Sequence, residues 1–241
     1  MRIAVLSDIH SNLAALEAVL SDLPAVDEAW VLGDTVGYGP QPNEVIVALQ
    51  ALGARSVLGN HDGAAVGTVD TRPFNPDARR AIEWTVEVID ANSRAYLASL
   101  PEVRTDGDLT AVHGSPRNPI WEYIFSDEVA ADCLAEFETQ LCLFGHTHVP
   151  IVFVAAGTDD VEPLASLPDL PVELRGRRAL INPGSVGQPR DGNPAASYAI
   201  LDTDADRVDF HRVRYDIDRT QRLMREAGLP PRLAERLSYG R

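Results

Sequence analysis

Short aliphatic runs alternate with stretches of helical periodicity in the first part of the chain. Residues 3–6 and 29–32 are aliphatic and too short for helices, whereas apolar residues recur at helical spacing over 13–23. A second helical stretch covers about 43–52, and another short apolar run follows at 56–58. This alternation predicts parallel strands that are joined by helical crossovers.

The rest of the chain is mostly strand-like. A long helical stretch opens at the prolines of 73–76 and runs to 97, and a further helix is predicted at 127–137. Residues 155–175 are acidic and proline-spaced, which indicates a surface loop or an irregular hairpin, and 216–241 are predicted as one or two short helices packed on the body. Further strands are predicted at 102–104, 109–112, 141–144, 151–154, 179–181, 197–201 and 208–213. No repeat or linker divides residues 1–241, so a single domain is expected.

Composition narrows the classes of partner and compartment. Lysine and arginine number 21 against 36 aspartates and glutamates, a net charge of −15, which disfavours long nucleic acids as partners. No apolar segment approaches the ~20 residues of a membrane helix, and no signal peptide is expected at the N-terminus. Cys133 and Cys142 lie in apolar or helical runs and are expected to be buried, reduced thiols. We therefore expect a cytoplasmic protein, for which a homo-oligomer is possible.

Side chains that can bind a metal follow the apolar runs at five places, which hold five of the six histidines. Because parallel strands end at one crevice, these side chains are expected to converge. The i, i+2 spacing within 8–10 and 146–148 predicts that both side chains point to one side of an extended backbone. Seven ligands are too many for one tetrahedral ion and suit two divalent ions that share a carboxylate. The candidate ligands are Asp8, His10, Asp34, Asn60, His113, His146 and His148.

The ligand types and the charge balance indicate which ions and which substrates such a site would take. Carboxylate, amide and imidazole ligands without thiolates suit Mn²⁺, Fe²⁺, Zn²⁺, Co²⁺ or Mg²⁺, among which we favour Mn²⁺. Two carboxylates against two divalent ions leave a local surplus of two positive charges. This surplus can hold phosphate despite the acidic surface.

Five sequence blocks resemble the calcineurin-like metallophosphoesterases: Asp8-x-His10, Gly33-Asp34, Gly59-Asn60-His61-Asp62, His113-Gly114 and Gly145-His146-Thr147-His148. Residues 37–40 and 182–190 resemble the small single-domain phosphodiesterase branch of that superfamily. The resemblance implies an α/β fold, a four-layer α/β/β/α sandwich with two mixed β-sheets flanked by helices. It also implies two ligand sets that share Asp34, namely Asp8, His10, Asp34 and His148 for one ion and Asp34, Asn60, His113 and His146 for the other.

The resemblance further implies a metal-dependent phosphoesterase, and we expect a phosphodiesterase that acts on small molecules or nucleotides. Two ions ~3.5 to 4 Å apart would activate a water as the nucleophile, so no serine or cysteine nucleophile is required. The likeness places His61 beside the leaving oxygen as a proton donor, and Asp62 is expected to orient His61 or a ligand histidine. After Gly33-Asp34 the chain reads Thr35-Val36-Gly37-Tyr38, where the protein phosphatases and diadenosine tetraphosphatases have a further Asp followed by Arg, and this departure disfavours a phosphoprotein substrate.

Two alternatives stay open at this stage, and several residues are candidates for substrate contact. The alternatives are a phosphomonoesterase or nucleotide pyrophosphohydrolase on the same metal core, and a non-catalytic binding module on the same fold. Arg117 and Arg190 are candidate phosphate ligands, and the amides of 182–190 are a further candidate. Packing is the favoured interpretation of four aromatic side chains that could also stack on a base: Tyr38, Phe74, Trp121 and Tyr123. His211 is interpreted as structural.

Overall fold

The computed structural model describes residues 1–157, 160–168 and 170–241. Its strands are β1 Arg2–Leu6, β2 Glu28–Val31, β3 Arg55–Ser56, β4 Val103–Asp106, β5 Leu109–Val112, β6 Leu141–Leu143, β7 Ile151–Ala155, β8 Val161–Leu164, β9 Val172–Glu173, β10 Ala179–Asn182, β11 Ala196–Asp202 and β12 Arg207–Val213. Its helices are α1 Leu13–Asp22, α2 Pro42–Leu52, α3 Asn60–Val66, α4 Pro76–Val88, α5 Ala91–Ala98, α6 Asp127–Leu134, α7 Ile217–Glu226 and α8 Pro231–Glu235, followed by a 3₁₀ helix, Arg236–Ser238.

The strands form two six-stranded mixed sheets. One has the order β3-β2-β1-β11-β12-β9, and the other has the order β4-β5-β6-β10-β7-β8. Strands β1, β2 and β3 are parallel to one another, as are β5, β6 and β10, and the remaining pairs are antiparallel. The predicted parallel strands joined by helical crossovers are therefore confirmed for β1, β2 and β3, whereas the later strands pair in both directions.

Both faces of each sheet are buried, which sets the order of the layers. In β1, Ile3 and Val5 pack between the two sheets, while Ala4 and Leu6 pack outward against α1 and α2. This alternation follows from the two-residue period of a strand. Helix α6 covers the outer face of the second sheet through the cluster that contains Cys133. The predicted four-layer α/β/β/α sandwich is confirmed.

The predicted long helix over 73–97 is wrong in one respect, because it is two helices. Helix α4 ends at Val88 and is followed by Ile89, whose backbone is extended, and Asp90 caps α5 by accepting a hydrogen bond from the Ser93 amide at 2.7 Å. A local side chain that satisfies a free helical N–H starts a new helix despite the continuing apolar spacing. Helix α3, a short helix that begins at Asn60 itself, was not predicted.

The described parts of 155–175, and residues 216–241, pack on the rest of the fold. Within 155–175, β8 pairs antiparallel with β7, which confirms the hairpin interpretation, and β9 pairs with β12; residues 158, 159 and 169 lie outside the described residues. Helix α7 packs on α1, where Thr220 donates a hydrogen bond to Asn12 at 2.9 Å. Among the helices of the described residues, none combines the length and apolar character that a bilayer span needs.

Candidate metal centre

The predicted ligands lie just beyond the carboxyl ends of β1, β2, β3, β5 and β6, so strands of both sheets contribute, and Asn60 is the first residue of α3. The expected extended backbone at 8–10 and 146–148 is wrong. Both ends of each triplet adopt the left-handed conformation, with φ of 53° and 49° in the first and 65° and 59° in the second. This conformation is uncommon for non-glycine residues, and it persists only where surrounding contacts enforce it. The sharp turns direct both side chains of each triplet into the crevice.

One group of ligands forms around Asp8. Its Oδ2 accepts hydrogen bonds from the Ser7 hydroxyl at 2.6 Å and from the His146 amide at 3.1 Å. The other oxygen, Oδ1, has no hydrogen-bond partner among the described residues and lies 3.2 Å from Nε2 of His148. Nε2 of His10 lies 3.2 Å from the same His148 nitrogen. The free carboxylate oxygen and the two imidazole nitrogens therefore face one another.

The second group of ligands is centred on His113. Its Nε2 lies 2.9 Å from Oδ1 of Asn60 and 3.0 Å from Nδ1 of His146. Asp34 joins this group to the first, because its Oδ2 lies 3.4 Å from Nε2 of His113 and 3.6 Å from Nε2 of His10. Its Oδ1 is held by the backbone amide of His61 at 2.9 Å. Asp34 is the residue that the two groups share.

The protonation of the rings shows that these atoms suit a cation. Nδ1 of His10 donates to the Val36 carbonyl, and Nδ1 of His148 donates to the Gln188 carbonyl, at 3.1 and 2.6 Å. Because a carbonyl oxygen only accepts, Nδ1 carries the proton of each neutral ring, and both Nε2 atoms present lone pairs. Two lone pairs 3.2 Å apart, beside a free carboxylate oxygen, repel one another unless a cation lies between them. The residues present thus fit a metal.

Burial determines the protonation of the ligands in the metal-free protein. It lowers the pKa of His10, His146 and His148 well below the usual value, so these rings are neutral and available as ligands. Burial raises the pKa of Asp8 to about 7 and also raises that of Asp34. A bound cation would reverse this cost by stabilising the ionised carboxylates.

Metal loading should therefore stabilise the protein more at pH 7.5 than at pH 5. In the folded protein the pKa of Asp8 is about 7, above its ordinary value of 3.8. The protonated carboxyl group therefore stabilises the folded state at low pH, and this stabilisation is lost as the pH rises through 7. At pH 5 a metal must displace that proton. With Mn²⁺ at ~1,000 times its Kd, binding adds about 4 kcal/mol, or roughly 8–16 °C in Tm. Calorimetric Tm values with and without Mn²⁺ at both pH values test this, and Asp8→Asn should reduce the pH dependence, to which Asp34 also contributes. Equal shifts for the parent at both pH values would contradict it.

His61 lies beside the candidate metal ligands and lines the cavity that opens over them. Its Nδ1 is buried without a partner among the described residues, and it faces Gly37, where a Cβ would come within 2.3 Å of that nitrogen. Gly37 has φ of 88°, so both its conformation and its contact with His61 require glycine. Burial lowers the pKa of His61, so the ring is neutral. Nε2 is the nitrogen left to face a substrate.

Asp62 does not contact an imidazole, which corrects the expectation that it orients His61 or a ligand histidine. Its Oδ1 accepts from the Val36 amide at 3.0 Å, and its Oδ2 accepts from the Gly59 amide at 3.1 Å. Buried at the first turn of α3, its carboxylate caps that helix and ties it to the loop that carries Asp34. Asp62 is therefore a positioning residue.

A cavity of ≈ 80 Å³ opens over the two ligand groups. Arg190 reaches it, with its guanidinium 5.9 Å from the ring of Tyr38; it donates a hydrogen bond to the Gln188 side chain at 3.0 Å and forms no ion pair with any residue the structure describes. Tyr38 contacts His10 and His61, with ring centroids 4.6 and 4.4 Å apart. The cavity also includes three aromatic residues for which packing had been the favoured interpretation, Phe74, Trp121 and Tyr123.

Arg117 does not line this cavity, so the structure does not support it as a phosphate ligand. It is paired instead with Glu122 at 2.5 Å and with Asp132 at 2.7 Å, because two carboxylates lie within its reach. The amides of residues 182–190 were a further candidate for phosphate binding. Those of Val186 and Gly187 instead donate to the carbonyls of residues 7 and 8 at 3.0 Å. That loop thus supports the first ligand triplet.

The supporting roles of three polar residues within 182–190 were not predicted, because their partners lie 37 to 177 residues away in the sequence. Ser185 donates to the Asp8 carbonyl at 2.8 Å, and Gln188 accepts from both His148 and Arg190. Asn182 donates to the Gly145 carbonyl at 2.8 Å. Such outer partners hold the ligands in orientation. His211 stacks on Tyr198 away from the centre, as its structural interpretation predicts.

Comparison with known proteins agrees with this geometry. A family model described as the calcineurin-like phosphoesterase superfamily domain matches residues 1–206. The crystal structure of a metallophosphoesterase from Sphaerobacter thermophilus is 50% identical and covers the whole of both chains with a TM-score of 0.91. An uncharacterised protein from Methanocaldococcus jannaschii is 39% identical over 99% of this chain and 98% of its own length. The phosphodiesterase YfcE of Escherichia coli is 26% identical over 85% of this chain and 89% of its own. The chain belongs to the calcineurin-like phosphoesterase superfamily.

Proposed function

We propose that the protein is a binuclear metal-dependent phosphodiesterase that hydrolyses small phosphodiesters. The observation that carries this proposal is the position of Asp34, whose Oδ2 lies within 3.6 Å of an imidazole nitrogen of each ligand group. One carboxylate between two sets of lone pairs suits two ions that share a ligand. A non-catalytic binding module would not need this complete set of ligands, so the enzyme is the favoured interpretation.

The chain's own residues have separable roles in this reaction. When bound, two divalent ions supply an activated water and neutralise charge on the phosphoryl oxygens. Arg190, a cation without an ion pair among the described residues, is placed to bind a phosphoryl oxygen. His61 faces the same cavity as a neutral ring, and an anionic phosphoryl group beside it would raise its pKa. It would then donate a proton to the leaving oxygen.

Two features of the cavity support a diester as substrate. A phosphodiester carries one negative charge on its phosphoryl group, and Arg190 is the single arginine or lysine that lines the cavity within the described residues. The walls include Phe74, Trp121 and Tyr123, which can accommodate a second ester group better than they can a charged oxygen. The phosphodiesterase name of the E. coli relative is consistent with this preference.

The native ions and the compartment are further proposals. We favour Mn²⁺ because the ligands combine carboxylates, an amide and imidazoles. A cytoplasmic location is supported by the two free cysteines, Cys133 and Cys142, which are both buried. We also retain the proposal that residues 1–241 form a single domain.

A substrate panel tests the proposed function. The Mn²⁺-loaded protein is expected to hydrolyse bis-p-nitrophenyl phosphate with a kcat/KM about 10-fold or more above that for p-nitrophenyl phosphate, a difference of about 1.4 kcal/mol in transition-state binding. Dinucleoside polyphosphates should be poorer substrates. A higher kcat/KM on the monoester would favour the phosphomonoesterase, and a higher value on the polyphosphates would favour the pyrophosphohydrolase. Either result contradicts the diesterase proposal.

A further inference from the structure

The loop between β5 and α6 carries three aromatic residues at every second position, Trp121, Tyr123 and Phe125. Phe125 is 66% exposed and Tyr123 is 42% exposed, whereas Ile124 between them is buried. Because successive residues of an extended segment point to opposite sides, Ile124 anchors this part of the loop in the core and leaves its two neighbours facing outward together. Single apolar side chains scattered over a protein surface are common, whereas two exposed aromatic rings side by side form a contiguous apolar patch.

These two exposed rings continue a stack that begins at the metal centre. The ring of Tyr123 lies 3.8 Å from that of His146, and their planes differ by 13°. Phe125 lies 5.3 Å from Tyr123, with the planes 15° apart. The three rings are thus nearly parallel, and the series runs from a candidate metal ligand to solvent. We call Tyr123 and Phe125 together the aromatic platform.

The loop that holds the aromatic platform is braced by polar contacts. Glu122, which lies between Trp121 and Tyr123, accepts a hydrogen bond from Ser115 and is paired with Arg117, both at 2.5 Å. The Trp121 amide donates to Asn118 at 3.1 Å. A site held in place before binding loses less entropy when a ligand arrives. The ion pairs of Arg117 therefore explain how the platform is positioned.

The size of the cavity requires part of the substrate to lie outside it. At ≈ 80 Å³ the cavity is well below the ~300 Å³ or more of pockets that enclose a drug-sized ligand, so it suits the phosphodiester group and leaves the larger parts of the substrate outside. On the side of His146, the surface beyond the cavity is the aromatic platform. Flat, parallel rings favour a flat apolar occupant, and base–aromatic stacking is a common source of affinity for nucleotides.

We propose that the aromatic platform binds the nucleobase of the substrate, so that the substrate class is nucleoside phosphodiesters of one or two nucleotides. The proposal rests on the proposed phosphodiesterase function for its chemistry. The net charge of −15 limits the length of the nucleic acid that can approach, which favours a short substrate. The base would lie against the exposed rings of the aromatic platform while the phosphoryl group lies between Arg190 and the metal ligands.

The test compares two diesters with the same leaving group, thymidine 5′-(p-nitrophenyl phosphate) and methyl p-nitrophenyl phosphate. With the Mn²⁺-loaded protein, Phe125→Ala should lower kcat/KM on the nucleoside ester about 10-fold, mainly through KM, and leave the methyl ester unchanged. Phe125→Trp should restore the parent value. Val47→Ala is the matched control, because Val47 is also exposed, at 61%, and lies on α2. Equal losses on both esters, or no loss on either, would overturn the proposal.

A binding measurement separates failure of the platform from failure of the proposed function. Calorimetry on the Mn²⁺-loaded protein should show that AMP binds more tightly than ribose 5-phosphate, and that Phe125→Ala removes about 10-fold of AMP affinity. If the parent cleaves neither diester but this difference persists, the diesterase function fails and the platform stands. If Phe125→Ala changes the molar mass in solution but not AMP affinity, the rings form an interface between copies and the platform proposal is wrong.

Discussion

Asp34→Asn is expected to lose metal and activity together. The amide removes the charge of the one carboxylate that both ligand groups share, and its single oxygen cannot both accept from the His61 amide and take the place of Oδ2 between the groups. We expect the metal content to fall from two ions per chain to one or fewer. The loss in kcat/KM should exceed about 100-fold, the upper end of the cost of removing an outer partner of a metal ligand. Elemental analysis and hydrolysis of bis-p-nitrophenyl phosphate measure both effects.

A control variant distinguishes this effect from a general loss of charge. Asp22→Asn makes the same change at the end of α1, where the carboxylate accepts a hydrogen bond from Tyr198 instead of contacting a ligand. It should retain two ions per chain and the parental rate. If Asp34→Asn also retained both ions and full activity, Asp34 would not be the shared ligand, and the binuclear proposal would be wrong.

His61→Ala should separate metal binding from turnover. The contact of residue 61 with the ligand Asp34 is made by its backbone amide, which the substitution preserves, so the metal content should remain at two ions. The ring, which faces the cavity, is removed, and loss of a general acid costs about 10²- to 10⁴-fold in rate. Elemental analysis beside kcat for bis-p-nitrophenyl phosphate measures the two quantities separately.

The side-chain volume lost at this position requires its own control. The His61 ring packs against Phe74 and Tyr38, with centroids 4.8 and 4.4 Å apart, so His61→Gln is included to fill most of that space. Both variants should have a kcat about 10²- to 10⁴-fold below that of the parent, and both should retain two ions per chain. His211→Ala removes a histidine that stacks on Tyr198 in the other half of the first sheet, and it should leave kcat unchanged. Full activity of metal-loaded His61→Ala would exclude the proton-donor role.

Some features of the centre were predictable because they depend on residues close together in sequence. A polar residue directly after a short apolar run marks the end of a strand, which identified all seven candidate ligands, from Asp8 to His148. The break between α4 and α5 was not predicted, although its signal is also local. Apolar spacing continues across residues 89–90, and the capping interaction of Asp90 outweighs it.

The choice between Arg117 and Arg190 could not be made from local pattern. Each of the two arginines lies in a loop that is rich in proline and small residues. Arg117 forms an ion pair with Asp132, 15 residues farther along the chain, and does not line the cavity. Arg190 reaches the cavity because its loop is tied to Asp8 by Ser185, across a separation of 177 residues. Contacts of that range have no signature in a single sequence.

By itself, the sequence determined the alternation of strands and helices and the chemical types of the candidate metal ligands, since strand period, helix period and ligand chemistry are local properties of the residues. The layered arrangement was implied by the resemblance to the family and not by the periodicity. Only the tertiary structure decided the left-handed turns at the ligands, the amide partners of Asp62 and the stacked rings that run from His146 to Phe125. These features depend on how loops from different strands pack against one another. A backbone conformation of higher local energy, or a ring stack that reaches solvent, is stable only when distant parts of the chain hold it in place.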